Sequence, residues 1–268
     1  MGRVEGKIAF VTGAARGQGR AHALRLAEEG ADIIAIDLCA PVPDLQYPSA
    51  TPDDLAETVR QIEALDRRIV AHQADVRDMA ALQKAVGDGV AHLGGLDIVV
   101  GNAGICIIAD AESTTPEIWK NTIDTNLTGV WHTVQAAVPH LKARGGGSII
   151  LTSSAAGLVG MPFLTAYIAA KHGVTGLGKA YAIELGRFNI RVNTLHPGGV
   201  NTAMGGIGAA FPEYIEKNPG VVMGGYGVLP NTTTEPVDQA NAVLWLASDE
   251  AKFITGTQVS VDAGMVAS

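Results

Sequence analysis

The amino-acid sequence predicts an α/β fold with a Rossmann-type doubly wound parallel sheet and helices on both faces. Short β-branched runs alternate with helix-length segments along the chain, which is the pattern of repeated βα units. The composition, with 47% hydrophobic residues, 17% charged residues and 33 glycines, is typical of a compact globular chain with many tight turns. A length of 268 residues is compatible with one sheet, so we expect a single domain over residues 1–268.

The apolar runs predict strands, and the segments between them predict helices. Strands are predicted at residues 7–12, 32–37, 68–74, 96–101, 148–153 and 190–195. Their β-branched character is typical of parallel strands that are buried on both faces. Helices are predicted at residues 20–29, 53–65, 79–92, 116–142 and 166–186. Thr115 before Pro116 supports the fourth helix, because a capping threonine and a proline at the first helical position are helix-start signals.

Two segments interrupt this alternation, and loops on a shared scaffold are where individual function is carried. Residues 38–52 contain four prolines and delay the helix that follows the second strand. Residues 203–235 are rich in glycine, methionine and aromatic residues, and their pattern predicts a short helix near 212–217. This segment resembles a lid over a substrate. The candidate residues for lining an apolar substrate pocket are Phe163, Met204, Phe211, Met223 and Tyr226.

The charge and hydropathy patterns exclude two classes of partner. A net charge of −8 and a pI near 5.3 argue against nucleic-acid binding, because such a chain repels a phosphate backbone. No stretch of about 18 apolar residues is present to span a bilayer, and the first residues lack a signal-peptide pattern. We therefore expect a cytoplasmic protein without membrane association.

The remaining reactive and aromatic side chains favour structural roles. Cys39 and Cys106 lack the paired spacing of a zinc site or a disulfide scaffold, so we expect two free thiols. The histidines lack metal-ligand spacing, and we expect no metal site at His72, His172 or His196. The tryptophans fall on helical patterns and are predicted to be packing residues, namely Trp119, Trp131 and Trp245.

A glycine-rich turn follows the first predicted strand and opens the first helix, with the sequence Thr12-Gly13-Ala14-Ala15-Arg16-Gly17-Gln18-Gly19. Glycines let the backbone turn sharply and approach a pyrophosphate, which the free N–H groups and dipole of a helix start attract. A purely structural turn is the alternative for this motif taken alone. Asp37 at the end of the second strand meets a second requirement, because a carboxylate there accepts hydrogen bonds from an adenosine ribose.

Asp37 also favours NAD over NADP, because a carboxylate repels the additional phosphate of NADP. Arg16 is an opposing signal, since a guanidinium in the glycine turn can bind that phosphate, and its alternative is a solvated loop charge. For Asp37 the alternative is a helix cap or a turn residue. An unfavourable charge contact excludes more strongly than a nearby arginine attracts, so we expect NAD as the cofactor.

Ser154, Tyr167 and Lys171 form the candidate catalytic group. Ser154 follows a predicted strand, and Tyr167 and Lys171 lie four residues apart on one face of a predicted helix. A phenol has a pKa of about 10, and a neighbouring ammonium helps to lower it toward neutrality, as proton transfer requires. A chance surface pair is the alternative when the Tyr-x-x-x-Lys spacing is taken alone.

With these residues the chain resembles the short-chain dehydrogenase/reductase family over essentially its whole length. The further matching motifs are an aspartate–valine pair that would hold adenine, an Asn-Ala-Gly turn preceded by Gly101 where asparagine is usual, and residues 197–202, which would lie beneath the nicotinamide with Thr202 near its carboxamide. The resemblance implies these cofactor-binding residues: Gly13, Arg16, Gly17, Gln18, Gly19, Asp37, Leu38, Asp75, Val76, Asn102, Ala103, Gly104, Tyr167, Lys171, Pro197, Gly198, Val200 and Thr202.

The resemblance also implies a catalytic tetrad of Asn126, Ser154, Tyr167 and Lys171. Tyr167 would be the general base in alcohol oxidation and the general acid in ketone reduction. Ser154 would orient the substrate oxygen. Lys171 would bind the nicotinamide ribose and lower the pKa of Tyr167, and Asn126 would hold a water that relays the proton to solvent. No metal is needed for this chemistry.

Residues 13–22 and the insertion at 38–52 resemble the actinobacterial carveol dehydrogenase-like group, also described as mycofactocin-coupled dehydrogenases. The resemblance implies an insertion that covers bound NAD and slows its exchange, an external electron carrier, and a cyclic terpenoid secondary alcohol as substrate. A steroid, another terpenoid or a medium-chain alcohol stays open, because an apolar pocket discriminates such ligands by about 1–3 kcal/mol per methylene.

Other classes of function also stay open. A noncatalytic NAD-binding protein would keep the fold without the chemistry, although the complete tetrad argues against it. A dehydratase or epimerase would keep the tyrosine but usually needs a longer substrate domain. The resemblance further implies a homotetramer that uses the helices at 116–142 and 166–186 and the C-terminal segment 257–265.

Overall fold

The computed structural model describes residues 2–222 and 227–267. Its strands, in chain order, are β1 (Ile8–Thr12), β2 (Asp32–Asp37), β3 (Ile69–Gln73), β4 (Ile98–Gly101), β5 (Gly147–Thr152), β6 (Ile190–Pro197), β7 (Gly199–Val200), β8 (Thr233–Thr234) and β9 (Gln258–Val261). Its helices are α1 (Gly17–Glu28), α2 (Pro52–Glu63), α3 (Met79–Leu93), α4 (Pro116–Ile123), α5 (Gly129–Arg144), α6 (Thr165–Leu185), α7 (Phe211–Lys217) and α8 (Pro236–Ala247).

Seven of the described strands form one parallel sheet in the order β3-β2-β1-β4-β5-β6-β9. The chain moves outward from β1 to β3 and then returns to β4 on the other side of β1. Doubly wound sheets bind ligands at such a reversal, outside the carboxyl ends of the strands. The predicted fold class is confirmed, and the topology places a ligand crevice between the ends of β1 and β4.

Two apolar clusters cover the two faces of the sheet. Successive residues of β1 point to opposite faces, so Phe10 packs with residues of α3, α5 and α6 while Val11 packs with residues of α1, α2 and α8. Both side chains are fully buried. Burial of one such side chain contributes about 1.5–3 kcal/mol, and this packing on both faces makes the sheet a rigid base for the loops at its carboxyl edge.

Every predicted strand and helix is present, with ends shifted by a few residues, and the short helix predicted near 212–217 is confirmed as α7. The segment predicted as a helix at 116–142 is helical throughout, but a π-helical turn at Asp124–Thr128, which is not predicted, divides it into α4 and α5. Helix α8 and strand β9 are not among the predicted elements. Within the described residues, no helix is long and apolar enough to cross a membrane.

The prediction for the tryptophans holds for one of the three. Trp245 is partly buried and packs against the cluster that contains Val11. The prediction is wrong for Trp119 and Trp131, which are 44% and 41% exposed on the surface of the chain. A helical pattern identifies the face on which a residue lies, but it does not show whether another part of the same chain covers that face.

Candidate active site

A cavity of about 510 Å³ lies at the carboxyl ends of the central strands. Every residue predicted to bind the cofactor lines this cavity, and so do Ser154, Met204 and Phe211. Asn126 is fully buried and does not line the cavity. Phe163, which is predicted to line the substrate pocket, is buried and does not line the cavity either. The other two pocket candidates, Met223 and Tyr226, lie outside the described residues.

The glycine loop has the shape that close approach to a phosphate requires. Gly13 has a φ of +68°, and a Cβ atom there would lie 2.9 Å from the Cα of Ala103. A Cβ atom on Gly19 would lie 1.9 Å from the carbonyl oxygen of Gly13. Helix α1 begins inside this loop, and the side chain of Arg16, its N-cap residue, makes no capping hydrogen bond within the described residues. The free N–H groups of the first turn therefore fit an anionic ligand such as a dinucleotide pyrophosphate.

Hydrogen bonds between the ends of β1 and β4 hold the loop in place. The Thr12 hydroxyl accepts from the backbone N–H groups of Asn102 and Ala103, both at 3.0 Å. The Asn102 side-chain amide donates to the Thr12 carbonyl at 3.0 Å. The Asn-Ala-Gly turn thus closes the bottom of the cavity without the preceding asparagine that is usual in the family.

Asp37 and Arg16 have different surroundings. The Asp37 carboxylate accepts from the N–H groups of Ala15 at 3.0 Å and Cys39 at 3.1 Å, and it lines the cavity at the end of β2. The Arg16 guanidinium donates to the carbonyl of Pro48 in the insertion. Arg16 is therefore engaged in holding the insertion, whereas the Asp37 carboxylate keeps lone pairs that a ribose can use.

The proposed adenine end contains a charged pair. The Arg77 guanidinium contacts the Asp75 carboxylate at 2.6 Å. Burial acts to raise the pKa of Asp75, but hydrogen bonds from Arg77 outweigh it and hold the pKa below its usual value. His132 Nδ1 lies 3.0 Å from the Val76 carbonyl and ties this turn to α5.

Helix α6 carries the tyrosine–lysine pair on one face. Lys171 is 3% exposed, donates to the Thr152 carbonyl at 2.8 Å, and places its ammonium 5.5 Å from the centroid of the Tyr167 ring. Burial lowers the pKa of Lys171 to about 8. Burial also raises the pKa of Tyr167, and the Ser154 hydroxyl acts in the opposite direction through a hydrogen bond. The three predicted side chains therefore meet in one place.

Asn126 lies in the π-helical turn between α4 and α5. Its side chain donates to the Ile105 carbonyl at 2.7 Å and accepts from the Ile105 N–H at 2.8 Å. Single π-helical turns inside α-helices occur frequently at functional sites. Here the turn fixes the backbone directly after the Asn-Ala-Gly motif.

Two further residues, neither assigned a catalytic role from the sequence, support the catalytic group. His196 Nδ1 lies 2.8 Å from the Ser154 carbonyl. The Ser153 hydroxyl donates to the Lys171 carbonyl at 2.8 Å and links β5 to α6. Cys39 and Cys106 are buried free thiols, as predicted. Within the described chain, no group of three His, Cys, Asp or Glu side chains is placed to hold a metal ion.

The insertion at 38–52, called the strap below, extends further than its sequence position indicates. It follows Asp37, so the sequence places it near the adenosine end. In the structure Leu45 and Tyr47 line the cavity, and Gln46 and Tyr47 hydrogen-bond to the backbone near Ile108 and Cys106. These contacts join residues about 60 apart in the chain and carry no sequence motif.

The chain matches the model of the short chain dehydrogenase family over residues 7–208. It is 47% identical to a (-)-trans-carveol dehydrogenase of Rhodococcus erythropolis, over 98% of this chain and 99% of the relative. A short chain dehydrogenase from Mycobacterium paratuberculosis, whose crystal structure contains NAD, is 50% identical with a TM-score of 0.97 and full coverage of both chains. A carveol dehydrogenase from Mycobacterium avium in complex with NAD is 48% identical with a TM-score of 0.92 and the same coverage.

The doubly wound sheet and the family match define the class as an oxidoreductase. The chain belongs to the short-chain dehydrogenase family. The predicted family and the predicted likeness to carveol dehydrogenases are confirmed. The prediction of NAD agrees with the relatives whose structures contain it.

Proposed function

We propose that this chain is an NAD-dependent dehydrogenase that interconverts an apolar, carveol-like secondary alcohol and its ketone. The observation that carries the proposal is the meeting of Ser154, Tyr167 and Lys171 in one cavity whose outer part is apolar. The apolar lining residues next to this group are Met161, Leu164, Met204, Ile207 and Phe211. Such a wall with a few convergent polar groups is the usual form of a small-molecule site.

The residues at the base of the cavity fit NAD. The start of α1 would bind the pyrophosphate, Asp37 the adenosine ribose, and Asp75 and Val76 the adenine. Lys171 would bind the nicotinamide ribose, with Thr202 near the carboxamide. NAD, when bound, supplies the acceptor for the hydride that leaves the carbinol carbon.

In the direction of oxidation the Tyr167 oxygen accepts the hydroxyl proton of the alcohol, and in reduction it returns that proton. Burial raises the pKa of Tyr167, so the phenol needs a nearby cation to become a base. Lys171 provides one, with its ammonium 5.5 Å from the ring centroid. Ser154 orients the substrate oxygen. A water held by Asn126 that passes the proton toward solvent stays a prediction, because the Asn126 side chain is buried and bonded to Ile105.

The strap supports a further part of the proposal, which is that NAD exchanges slowly and is reoxidised by an external carrier such as mycofactocin. Two contacts hold the strap beside the nucleotide crevice. Arg16 donates to the Pro48 carbonyl beside the glycine loop, and Gln73 donates to the Leu38 carbonyl at 3.0 Å. Release of the nucleotide would require these contacts to open.

Exposed aromatic and aliphatic side chains on α4, α5 and α6 support a homotetramer. Trp119, Trp131 and Ile183 are 44%, 41% and 85% exposed. Apolar surface of this kind commonly marks an interface between chains. We further propose a cytoplasmic location for this assembly.

The first experiment identifies the nucleotide and the substrate class. The purified protein is dialysed and denatured, and any released nucleotide is identified by mass spectrometry. The native protein is then assayed with carveol and with a steroid alcohol, using free NAD or an artificial electron acceptor. Retained NAD with acceptor-dependent oxidation of carveol supports the full proposal. An empty protein that turns over with added NAD removes the carrier-coupled part.

Two results would favour the other candidates. Oxidation of the steroid in preference to carveol would indicate a steroid dehydrogenase, which the same apolar lining can accommodate. Bound NAD without turnover of any alcohol or ketone would indicate a noncatalytic NAD-binding protein and would remove the general-base role of Tyr167.

A further inference from the structure

The segment 105–108, called the wall below, separates the strap from the catalytic helix. It follows the Asn-Ala-Gly turn at the end of β4, and Ile105 and Cys106 line the cavity. All four of its residues are 6% exposed or less. Buried backbone N–H and C=O groups of such a segment need partners, because a buried polar group without a hydrogen bond destabilises the folded chain.

The strap supplies partners for the wall through two adjacent side chains. The Gln46 side chain donates to the Ile108 carbonyl and accepts from the Ile108 N–H, both at 2.9 Å. The Tyr47 hydroxyl accepts from the Cys106 N–H at 3.1 Å. The Gln46 amide thus pairs with both backbone groups of one residue, Ile108, in the way that a neighbouring β-strand would, and it fixes the wall in position and orientation.

The lid contacts the wall at the same carbonyl oxygen, that of Ile108. The Tyr214 hydroxyl of α7 donates to the Ile108 carbonyl at 3.1 Å, so this oxygen accepts from both the strap and the lid. The Tyr214 ring lies 5.4 Å from the Phe163 ring, centroid to centroid. The Phe163 carbonyl in turn accepts from the N–H of Ala109, the residue after the wall, at 3.0 Å.

This arrangement lies next to the proposed reacting groups. Cys106 and Ile108 belong to one apolar cluster, against which Tyr167, Met204 and Phe211 pack. Tyr47 and Tyr167 line the same cavity. A displacement of the wall would therefore alter the space beside the catalytic tyrosine.

We propose that Gln46 and Tyr47 are substrate-positioning residues, which hold the wall where it forms one side of the substrate pocket. The strap is then part of the substrate site as well as a cover of the nucleotide crevice. This inference rests on the proposed function, because the pocket it describes is the one for the apolar alcohol.

The expected effect is on substrate affinity. One hydrogen bond contributes about 1 kcal/mol net, which corresponds to about a fivefold change in an equilibrium constant. Tyr47→Phe removes one bond to the wall and should raise KM for the alcohol about fivefold. Gln46→Ala removes two and should raise it about five- to thirtyfold. We expect kcat to change by less than about twofold, because the groups that act in the transition state stay in place.

The experiment measures hydrogen exchange of the wall amides together with kinetics. The variants are Gln46→Ala and Tyr47→Phe, and the control is Asp44→Asn, a substitution at an exposed residue of the same strap. In the purified protein the Ile108 amide of the first variant and the Cys106 amide of the second should exchange at least about fivefold faster. The Asn102 amide, which Thr12 holds, should keep its wild-type rate in all variants.

The outcomes separate this inference from the proposed function. Wild-type protection of both wall amides in the variants would overturn the inference, and so would faster exchange with an unchanged KM. If the wild type binds carveol without oxidising it, the proposed function fails, and the dissociation constant from calorimetry replaces KM in deciding the inference. A wild type that neither binds nor oxidises an apolar alcohol overturns both.

Discussion

The floor and the cover of the cavity are held together by different kinds of contact. The floor consists of the loops at the ends of β1, β2, β4 and β5 and the first two turns of α6, and its hydrogen bonds are short-range or run between neighbouring elements, as between Thr12 and Asn102. The cover consists of the strap and residues 203–222, and its ties are single side chains that reach distant backbone, such as Gln46 and Tyr214 to Ile108. Substitutions in the floor should therefore affect chemistry and cofactor choice, whereas substitutions in the cover should affect affinity and exchange.

The largest expected effect tests the floor. Tyr167→Phe removes the proposed general base and should lower kcat by about a hundredfold to ten-thousandfold or more, while the nucleotide affinity stays near that of the wild type. Steady-state kinetics and nucleotide titration measure the two quantities. Tyr181→Phe is the matched control, because it removes a buried hydroxyl from the same helix outside the cavity. Undiminished turnover of Tyr167→Phe would remove the role proposed for this residue.

The second prediction concerns Asp37, where the floor meets the strap. Asp37→Ala removes the charge that disfavours NADP and should lower the preference for NAD over NADP by about tenfold or more, since hydrogen bonds to charged groups contribute about 1.5–3 kcal/mol. Comparison of kcat/KM for the two nucleotides measures this. Asp37→Asn keeps an acceptor for the N–H groups of Ala15 and Cys39, so it separates the loss of charge from the loss of loop structure. An unchanged ratio in both variants would exclude Asp37 as the selecting residue.

The third prediction uses a buried imidazole under the floor. His22 on α1 is 0% exposed, neither ring nitrogen has a partner within the described residues, and burial lowers its pKa to about 3. In the unfolded chain a histidine has a pKa of about 6.5, so below that pH the unfolded state binds the additional proton. His22 therefore makes stability fall by about 1.4 kcal/mol for each pH unit of acidification between these two values.

His22→Leu should remove this contribution and weaken the acid dependence by about one proton. Urea unfolding at several pH values between about 4.5 and 7 measures the slope. A uniform change in stability at all pH values would reflect packing alone. Equal slopes in the two proteins would show that His22 does not titrate as a buried neutral group.

The smallest expected effect tests how the cover is anchored. Thr51 lies near the end of the strap and caps α2, because its side chain accepts a hydrogen bond from the Asp54 N–H at 3.2 Å. Thr51→Ala should therefore lower the free energy of unfolding by about 1 kcal/mol. Thr115→Ala is the matched control, because Thr115 caps α4 in the same way, far from the strap in sequence. Thermal unfolding should give similar losses for both. Faster nucleotide release is expected in Thr51→Ala alone, and equal release rates would contradict the anchoring role.

The same contrast explains how much could be predicted from the sequence. The floor is predictable because its motifs are local: a glycine loop between a strand and a helix, a carboxylate at a strand end, and Tyr167 and Lys171 one helical turn apart. Parallel topology then brings these local motifs to one edge of the sheet. The cover is not predictable in this way, since a glutamine side chain that pairs with a peptide 62 residues later leaves no periodic signal.

Some errors in the fold have equally specific causes. The π-helical turn at Asp124–Thr128 has helical backbone on both sides and contains no glycine or proline, so the sequence indicates one uninterrupted α-helix. Strand β9 is short, with Ser260 exposed between Val259 and Val261, and it lies at the edge of the sheet. Helix α8 does carry a start signal, because Pro236 occupies its first turn after a capping box formed by Glu235 and Asp238.

The most direct test of the proposed enzyme is a reaction without added nucleotide. The dialysed wild-type protein is mixed with carveol, and the absorbance of reduced nicotinamide is followed, first alone and then with an artificial electron acceptor. We expect about one equivalent of reduced nicotinamide per chain in the first step, as for a single turnover of bound NAD, and continued oxidation once the acceptor is present. No absorbance change before NAD is added, followed by turnover with free NAD, would contradict a cover that retains the cofactor.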